Sequence, residues 1–308
     1  MSYDDIRTHQ RMLQDELRTE GLRQAIDATV REGDAVLDFG CGTGILSFFA
    51  RKAGARTVYA VDRSPILKVA QQVAADNGIT GIHFISGDGD SVALPEKVDV
   101  VVSEWMGHFI FLEDMLRPLG RLIESYLRPG GLCVPRTVTP TMGLVTDKLL
   151  HDEYAFFSRR RYGIDFSHVA KWPYYDPELR HLHPGQVDVT TMTGESIELR
   201  QARDVAVVSG EMIAERALTV YALAGWFTSE FAPGVEIRTG PHDPETHWKQ
   251  VVFPLAEPIQ VAEGSTVKVK IYPLRIGPAR VHAWRWAIES SNERRLYDSV
   301  MHHLWLHR

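Results

Sequence analysis

Cysteine is scarce: the 308 residues contain two, Cys41 and Cys133. Two thiols supply no disulfide framework, and a reducing cytoplasm is the expected compartment. Long apolar runs are lacking too, so no membrane-spanning helix is expected. The opening stretch MSYDDIRTHQ has no apolar core of a secretory signal. There is no clustered Lys/Arg stripe and the formal charge is −6, which argues against a nucleic-acid surface. Neither an internal repeat nor a low-complexity segment occurs. What remains is a 44% hydrophobic chain, long enough for one large domain or two moderate ones. Arginine outnumbers lysine, a compositional hint of a GC-rich bacterial genome.

The hydrophobic pattern changes near Pro135. Before it, strand-like and helix-like segments alternate. AVLDF, TVYAVD, IHFIS and VDVVVSE read as strands. GILSFFARKAG and EDMLRPLGRLIESYL read as helices, the first closed by Gly54 and the second followed by a turn at RPGG. SPILKVAQQVAADNG is expected as a helix with Ser64 at its N-cap, Pro65 in its first turn and Gly78 past its end. Such alternation predicts a parallel α/β sheet. THQRMLQDELRTEGLRQAIDATV precedes it as a leading helix or helix pair. After Pro135, LTVYALAGWFTSEF, HWKQVVFPL, STVKVKIYPL and RVHAWRWAIES read as long strands of an antiparallel barrel or sandwich. The aromatic segment between Lys148 and Gly185 fits neither pattern.

The first chemical motif is VLDFGCGTGIL. Gly40, Gly42 and Gly44 allow close backbone approach after the first strand, and Asp62 ends the second, where a carboxylate accepts ribose hydroxyls. Ile45 stands where a dinucleotide fingerprint has its last glycine. The set suits a nucleoside cofactor without pyrophosphate, such as S-adenosylmethionine; the plainer alternative is a tight turn with Asp62 as a solvated strand end. Asp90, after the third strand, is placed to meet an adenine or to be an ordinary surface turn.

The second motif is SEWMGHFIFLEDML. Glu104 ends the fourth strand on the same crevice edge, and Glu113 lies nine positions on. Two carboxylates facing one pocket repel. A guanidinium between them removes the conflict, because its planar fork pairs with carboxylates. The structural alternative, Glu113 in the first turn of a helix, explains Glu113 but not Glu104.

SEWMGHFIFLEDML resembles the double-glutamate loop of the protein arginine methyltransferase family, THWKQ its second active-site loop, and HQRMLQDELRT its N-terminal cofactor-covering helix. The resemblance implies an α/β fold: cofactor-covering helices over 1–30, a Rossmann-like S-adenosylmethionine domain over 31–137, and a β-barrel domain over 138–308 with a dimerisation arm inserted at about 148–185. It implies a homodimer and an arginine or arginine-containing acceptor; composition and the lack of long apolar runs lead to the expectation of no nucleic-acid or membrane partner. By matching positions, His9 and Arg18 meet the methionine end of the cofactor, Asp38, Gly40 and Gly42 belong to the first motif, Asp62 holds the ribose, and Gly89 and Asp90 lie near the adenine. Glu104 and Glu113 hold the guanidinium. His247 pairs with Asp15, Trp248 walls the pocket, and Met12 and Met115 flank the acceptor nitrogen. Tyr3 matches the last tyrosine of the family's Tyr-Phe-x-x-Tyr motif, and His108 replaces a usual tyrosine. Taken singly, these residues have ordinary readings: a surface His9, a solvated Arg18, a core Trp248, methionines as core filler.

Three functions compete: arginine methyl transfer, methyl transfer to another small guanidine or amine, and a non-catalytic binding module. The intact glycines, glutamates and His247 favour an enzyme, with the monomethyl product expected to dominate.

Overall fold

The computed structural model describes residues 5–89, 91–110, 115–201, 207–276, 281–290 and 293–300. Tyr3, Asp90 and Glu113 lie outside the described residues. The chain divides into two compact units, the first Met1–Val138, Ser196–Val205 and Thr228–Arg238, the second Thr139–Glu195, Ala206–Phe227 and Thr239–Arg308.

The first unit opens with α1 (Ile6–Gln14) and α2 (Glu16–Thr29). Asp5 and Asp15 cap them, accepting hydrogen bonds from the backbone N–H of Arg7 and Arg18. There follow β1 (Ala35–Phe39), α3 (Ile45–Lys52), β2 (Thr57–Asp62), α4 (Leu67–Asp76), β3 (Ile82–Ser86), β4 (Val98–Val102), α5 (Leu116–Tyr126) and β5 (Leu127–Val134). The strands form one parallel sheet in the order β3-β2-β1-β4-β5. β1 and β4 are buried along their whole length, as strands covered on both faces must be. The order reverses between β1 and β4, so the loops after these strands open the crevice where such sheets bind ligands. Gly21 lets α2 approach closely: a Cβ there would meet the Phe231 ring at 3.2 Å.

Two local expectations are corrected. Ser64 does not cap α4. Its hydroxyl and backbone N–H both donate to Asp62 Oδ1 at 2.8 Å, and the helix begins only after Ile66. RPGG is not a free turn but lies inside β5, where the pairing with β4 shifts register between Val98 and Val100. Gly130, at φ +82°, absorbs that irregularity.

After β5 the chain forms antiparallel sheets. β6 (Thr137–Val145) leads to α6 (Lys148–Tyr154). Then come β7 (Glu178–Arg180), β8 (Val187–Thr193), β9 (Ile197–Glu198), β10 (Val208–Ile213), β11 (Leu218–Ala232), β12 (Val235–Arg238), β13 (Gln250–Val261), β14 (Thr266–Ile276), β15 (Val281–Ser290) and β16 (Glu293–Asp298). One sheet runs β10-β14-β15-β16, the other β7-β13-β11-β6-β8, with β12 on β11 and β9 on β6. Phe253, Trp284, Trp286 and Tyr297 make an aromatic core, and the buried Trp286 indole N–H donates to Pro254 C=O at 3.1 Å.

The segment from Lys148 to Gly185 is mostly short helices rather than strands. Its root is buried through Leu150, Tyr154, Tyr174 and Leu182, packed with Trp226 and Val252. Away from the root, Leu149, Phe156, Tyr162 and Ile164 are exposed, Tyr162 completely. No helix among the described residues is long and apolar enough to cross a membrane.

Candidate active site

The turn after β1 is left-handed at Gly40, Gly42 and Gly44, with φ of +76°, +54° and +89°. Side chains rarely adopt these angles. Space is short as well: a Cβ on Gly42 would lie 2.8 Å from the His9 imidazole, and one on Gly40 2.7 Å from Met115 Cε. The glycines therefore bring His9 of α1 and Met115, at the start of α5, against one loop.

Asp62 organises that loop from β2. Its Oδ2 accepts from Gly42 N–H at 2.8 Å while Oδ1 takes both Ser64 donors. A carboxylate has about four lone-pair positions, so the three hydrogen bonds leave room for one more donor. Asp38, on β1, is almost fully buried. Its Oδ2 accepts from Ser47 Oγ–H at 2.6 Å, and its Oδ1 has no partner among the described residues. Burial pushes its carboxyl up to about 7, against the opposing pull of the Ser47 hydrogen bonds. Gly89 is held by packing: a Cβ there would meet Pro118 of α5 at 2.5 Å.

Ser103 fixes the loop after β4, its Oγ–H donating to Phe39 C=O at 2.7 Å and its N–H to Val134 C=O at 2.9 Å. Trp105, Met106 and Phe109 are buried beyond it, while Glu104 and His108 are half-buried. Ile110 sits at φ +47°, a strained angle for a β-branched residue. Arg18 of α2 donates through a terminal guanidinium nitrogen to Glu104 Oε2 at 3.0 Å, with only 6% and 11% of the two side chains exposed. The same nitrogen lies 4.0 Å from the Met12 sulfur, and Arg18 Nε is buried without a hydrogen-bond partner among the described residues.

The first unit thus brings His9, Met12, Arg18, Gly40, Gly42, Asp62, Glu104 and Met115 around one crevice edge. Asp15 is half-buried at the α1–α2 junction. In the second unit Trp248 is almost fully buried, edge-on to Phe227 with ring centroids 5.4 Å apart. The half-buried His247 ring lies 4.5 Å from that of Trp248. Sequence reasoning missed Ser47, Ser103 and Trp105. Ser47 follows Asp38 by nine positions, and its place on the first turn of α3 was the available signal. Among the described residues no cluster of His, Cys, Asp and Glu is arranged for a metal.

A nucleoside cofactor carrying an amino-acid tail fits these residues. The three glycines present no side chain to obstruct it, Asp62 retains acceptor capacity, and among the described residues Asp38 Oδ1 and Arg18 Nε–H are an unmet acceptor and an unmet donor. The class defined is a methyltransferase: residues 18–134 match the family described as ribosomal protein L11 methyltransferase (PrmA), and residues 141–280 the arginine methyltransferase oligomerization subdomain.

Over 281 residues the chain is 34% identical to protein arginine N-methyltransferase 1 of Chlamydomonas reinhardtii, covering 88% of this chain and 81% of that one. Its identity to the Saccharomyces cerevisiae enzyme of the same name is also 34%, covering 87% and 80%. Among solved structures, the Trypanosoma brucei PRMT1 enzyme-prozyme heterotetrameric complex with AdoHcy superposes with a TM-score of 0.86 at 28% identity, covering 97% of this chain and 99% of that one. Arabidopsis thaliana protein arginine methyltransferase 10 shares the fold, with a TM-score of 0.82 at 24% identity and coverage of 96% and 99%. The chain belongs to the protein arginine N-methyltransferase family, whose members are S-adenosylmethionine-dependent arginine N-methyltransferases.

Proposed function

We propose that this chain methylates a guanidino nitrogen of arginine, in a peptide or as free L-arginine, and releases mainly the monomethyl product. The observation that carries the reading is the ion pair of Arg18 with Glu104: this nearly buried carboxylate already accepts a guanidinium at 3.0 Å. The contacting atoms of Arg18 stand in for those of an acceptor arginine.

Bound S-adenosylmethionine supplies an electrophilic methyl on a sulfonium. His9, Arg18, Asp38, Gly40, Gly42, Asp62 and Gly89 hold it, with Asp90. Glu104 and Glu113 orient the acceptor guanidinium and draw its positive charge away from the attacking nitrogen. That matters because a guanidinium, with a pKa of about 13.8, is otherwise a poor nucleophile. Holding the reacting atoms in line contributes about 7–11 kcal/mol toward the barrier. Glu113 or the pair Asp15 and His247 takes up the proton. Met12 and Met115 flank the reacting nitrogen, Trp248 and Tyr3 border the acceptor, and His108 in place of tyrosine loosens the lid, favouring release after one transfer. The exposed apolar side chains of the arm support a homodimer, as interfaces enrich such aromatics.

The relatives named above are eukaryotic, and their names give protein arginine as acceptor. A bacterial source rests on the arginine-rich composition, and a cytoplasmic location on the scarcity of cysteine. Mass spectrometry of a time course with excess cofactor, comparing an arginine-rich peptide, free L-arginine and other guanidines, tests the proposal. Methylation of neither arginine form refutes the acceptor. Dimethylarginine from the earliest points, without a free monomethyl pool, refutes the product assignment. Symmetric dimethylarginine refutes the roles given to both methionines.

A further inference from the structure

The loop carrying His247 and Trp248 leaves at Thr239 and returns at Gln250, the first residue of β13. Gln250 is 6% exposed, yet both ends of its amide are satisfied. Its Oε1 accepts from Leu182 N–H at 2.7 Å, and its Nε2 donates to Thr239 C=O at 2.7 Å. The partners fix the orientation of the amide, since a backbone N–H requires an acceptor and a carbonyl a donor. Thr239 is itself fastened to Phe227 of β11: its N–H donates to Phe227 C=O at 3.1 Å, and its hydroxyl accepts from Phe227 N–H at 3.1 Å. One side chain therefore joins three segments: the loop's entry, its exit, and the C-terminal root of the arm at Leu182. His181 Nδ1, 3.7 Å from Glu245 Oε2, adds a weaker tie between the same root and the loop.

Inside the loop, Lys249 holds φ +56° beside Gln250. A non-glycine residue keeps such an angle only where its flanks over-determine it. One flank is Trp248, packed on Phe227, and the other is the doubly bonded Gln250.

We propose that Gln250 is a positioning residue for methyl transfer, its amide setting the loop of His247 and Trp248 and coupling that loop to the root of the arm. The inference rests on the reading of His247 and Trp248 as site residues. The test compares Gln250→Glu, Gln250→Leu and His247→Ala. Ionised, the glutamate sets an oxygen against the Thr239 carbonyl; protonated, it donates there as the amide does, and burial favours the protonated form. For Gln250→Glu, kcat with an arginine peptide falls about tenfold or more at high pH and recovers, relative to wild type at the same pH, as pH is lowered. Gln250→Leu stays low throughout, and its amide hydrogens over 240–249 exchange faster. Cofactor affinity by calorimetry stays within about twofold in both, since neither Gln250 nor its bonded partners Leu182 and Thr239 are among the residues assigned to hold the cofactor. Wild-type kcat in both Gln250 variants beside an impaired His247→Ala overturns the proposal. So does a loss of cofactor affinity matching the loss of kcat. An unimpaired His247→Ala instead refutes the reading of the loop, and exchange over 240–249 then decides alone: unchanged protection in Gln250→Leu overturns the role of Gln250.

Discussion

Replacing Glu104 by glutamine removes one charge from a pair whose side chains are 6% and 11% exposed. Removing a buried partner altogether costs about 3–5 kcal/mol, because the other charge is left uncompensated. Glutamine is milder: its carbonyl still accepts from Arg18, so the loss is the gap between a charge-assisted bond and a neutral one, about 1–1.5 kcal/mol. The thermal midpoint of the first unit should fall by about 3–5 °C. Turnover should fall far more, at least about a hundredfold, since the acceptor guanidinium loses a nearly buried charged partner. Cofactor affinity should hold or improve, because Arg18 then faces a neutral amide in place of a competing carboxylate. Calorimetry with S-adenosylhomocysteine, single-turnover methyl transfer and scanning calorimetry separate the three effects. A Glu104→Gln enzyme with normal turnover would refute the mechanism, and a tenfold loss of cofactor affinity would move Glu104 to the cofactor's side.

Three further outcomes are expected. Asp62→Ala removes an acceptor for Gly42 and Ser64 as well as the proposed ribose contact, and should weaken cofactor binding by about 1.5–3 kcal/mol; unchanged affinity would make Asp62 a strand end only. Asp38 has its carboxyl pushed up to about 7 from an ordinary 3.8, so the folded state holds a proton the unfolded chain has lost; its contribution is present below about 4 and lost as pH rises through about 7. Asp38→Asn should flatten that dependence in urea titrations across this range, and an unaltered slope would contradict the assigned protonation. Serine at Phe156, Tyr162 and Ile164 together should turn a dimer into a monomer by light scattering at micromolar concentration, whereas a monomeric parent chain would end the arm reading.

The parallel sheet was legible because buried parallel strands are nearly pure runs of apolar residues, and β1 and β4 are such runs. The glycine turn was legible because left-handed angles restrict the residue type. What escaped depends on partners distant in sequence or on competition for one group. Ser64 has the chemistry of a cap, but Asp62 two residues earlier is the stronger acceptor and takes both its donors. Nothing local in α2 marks Arg18 as the partner of Glu104, since the two meet only once α2 lies over the sheet edge. Gln250 was visible within THWKQ, but its bonds reach Leu182 and Thr239, which no periodicity connects.

Gly40 and Met115 lie 75 positions apart, yet a methyl group added to Gly40 would displace the terminal methyl of Met115. Their histories are therefore tied. A lineage that gains a side chain at 40 accepts backbone strain at φ +76° and simultaneously moves the residue assigned to gauge the acceptor nitrogen. On the role proposed for Met115, drift on the cofactor turn becomes drift in product choice, with no mutation on the acceptor side. Descendants of this chain that gain a side chain at 40 should carry a smaller residue at 115.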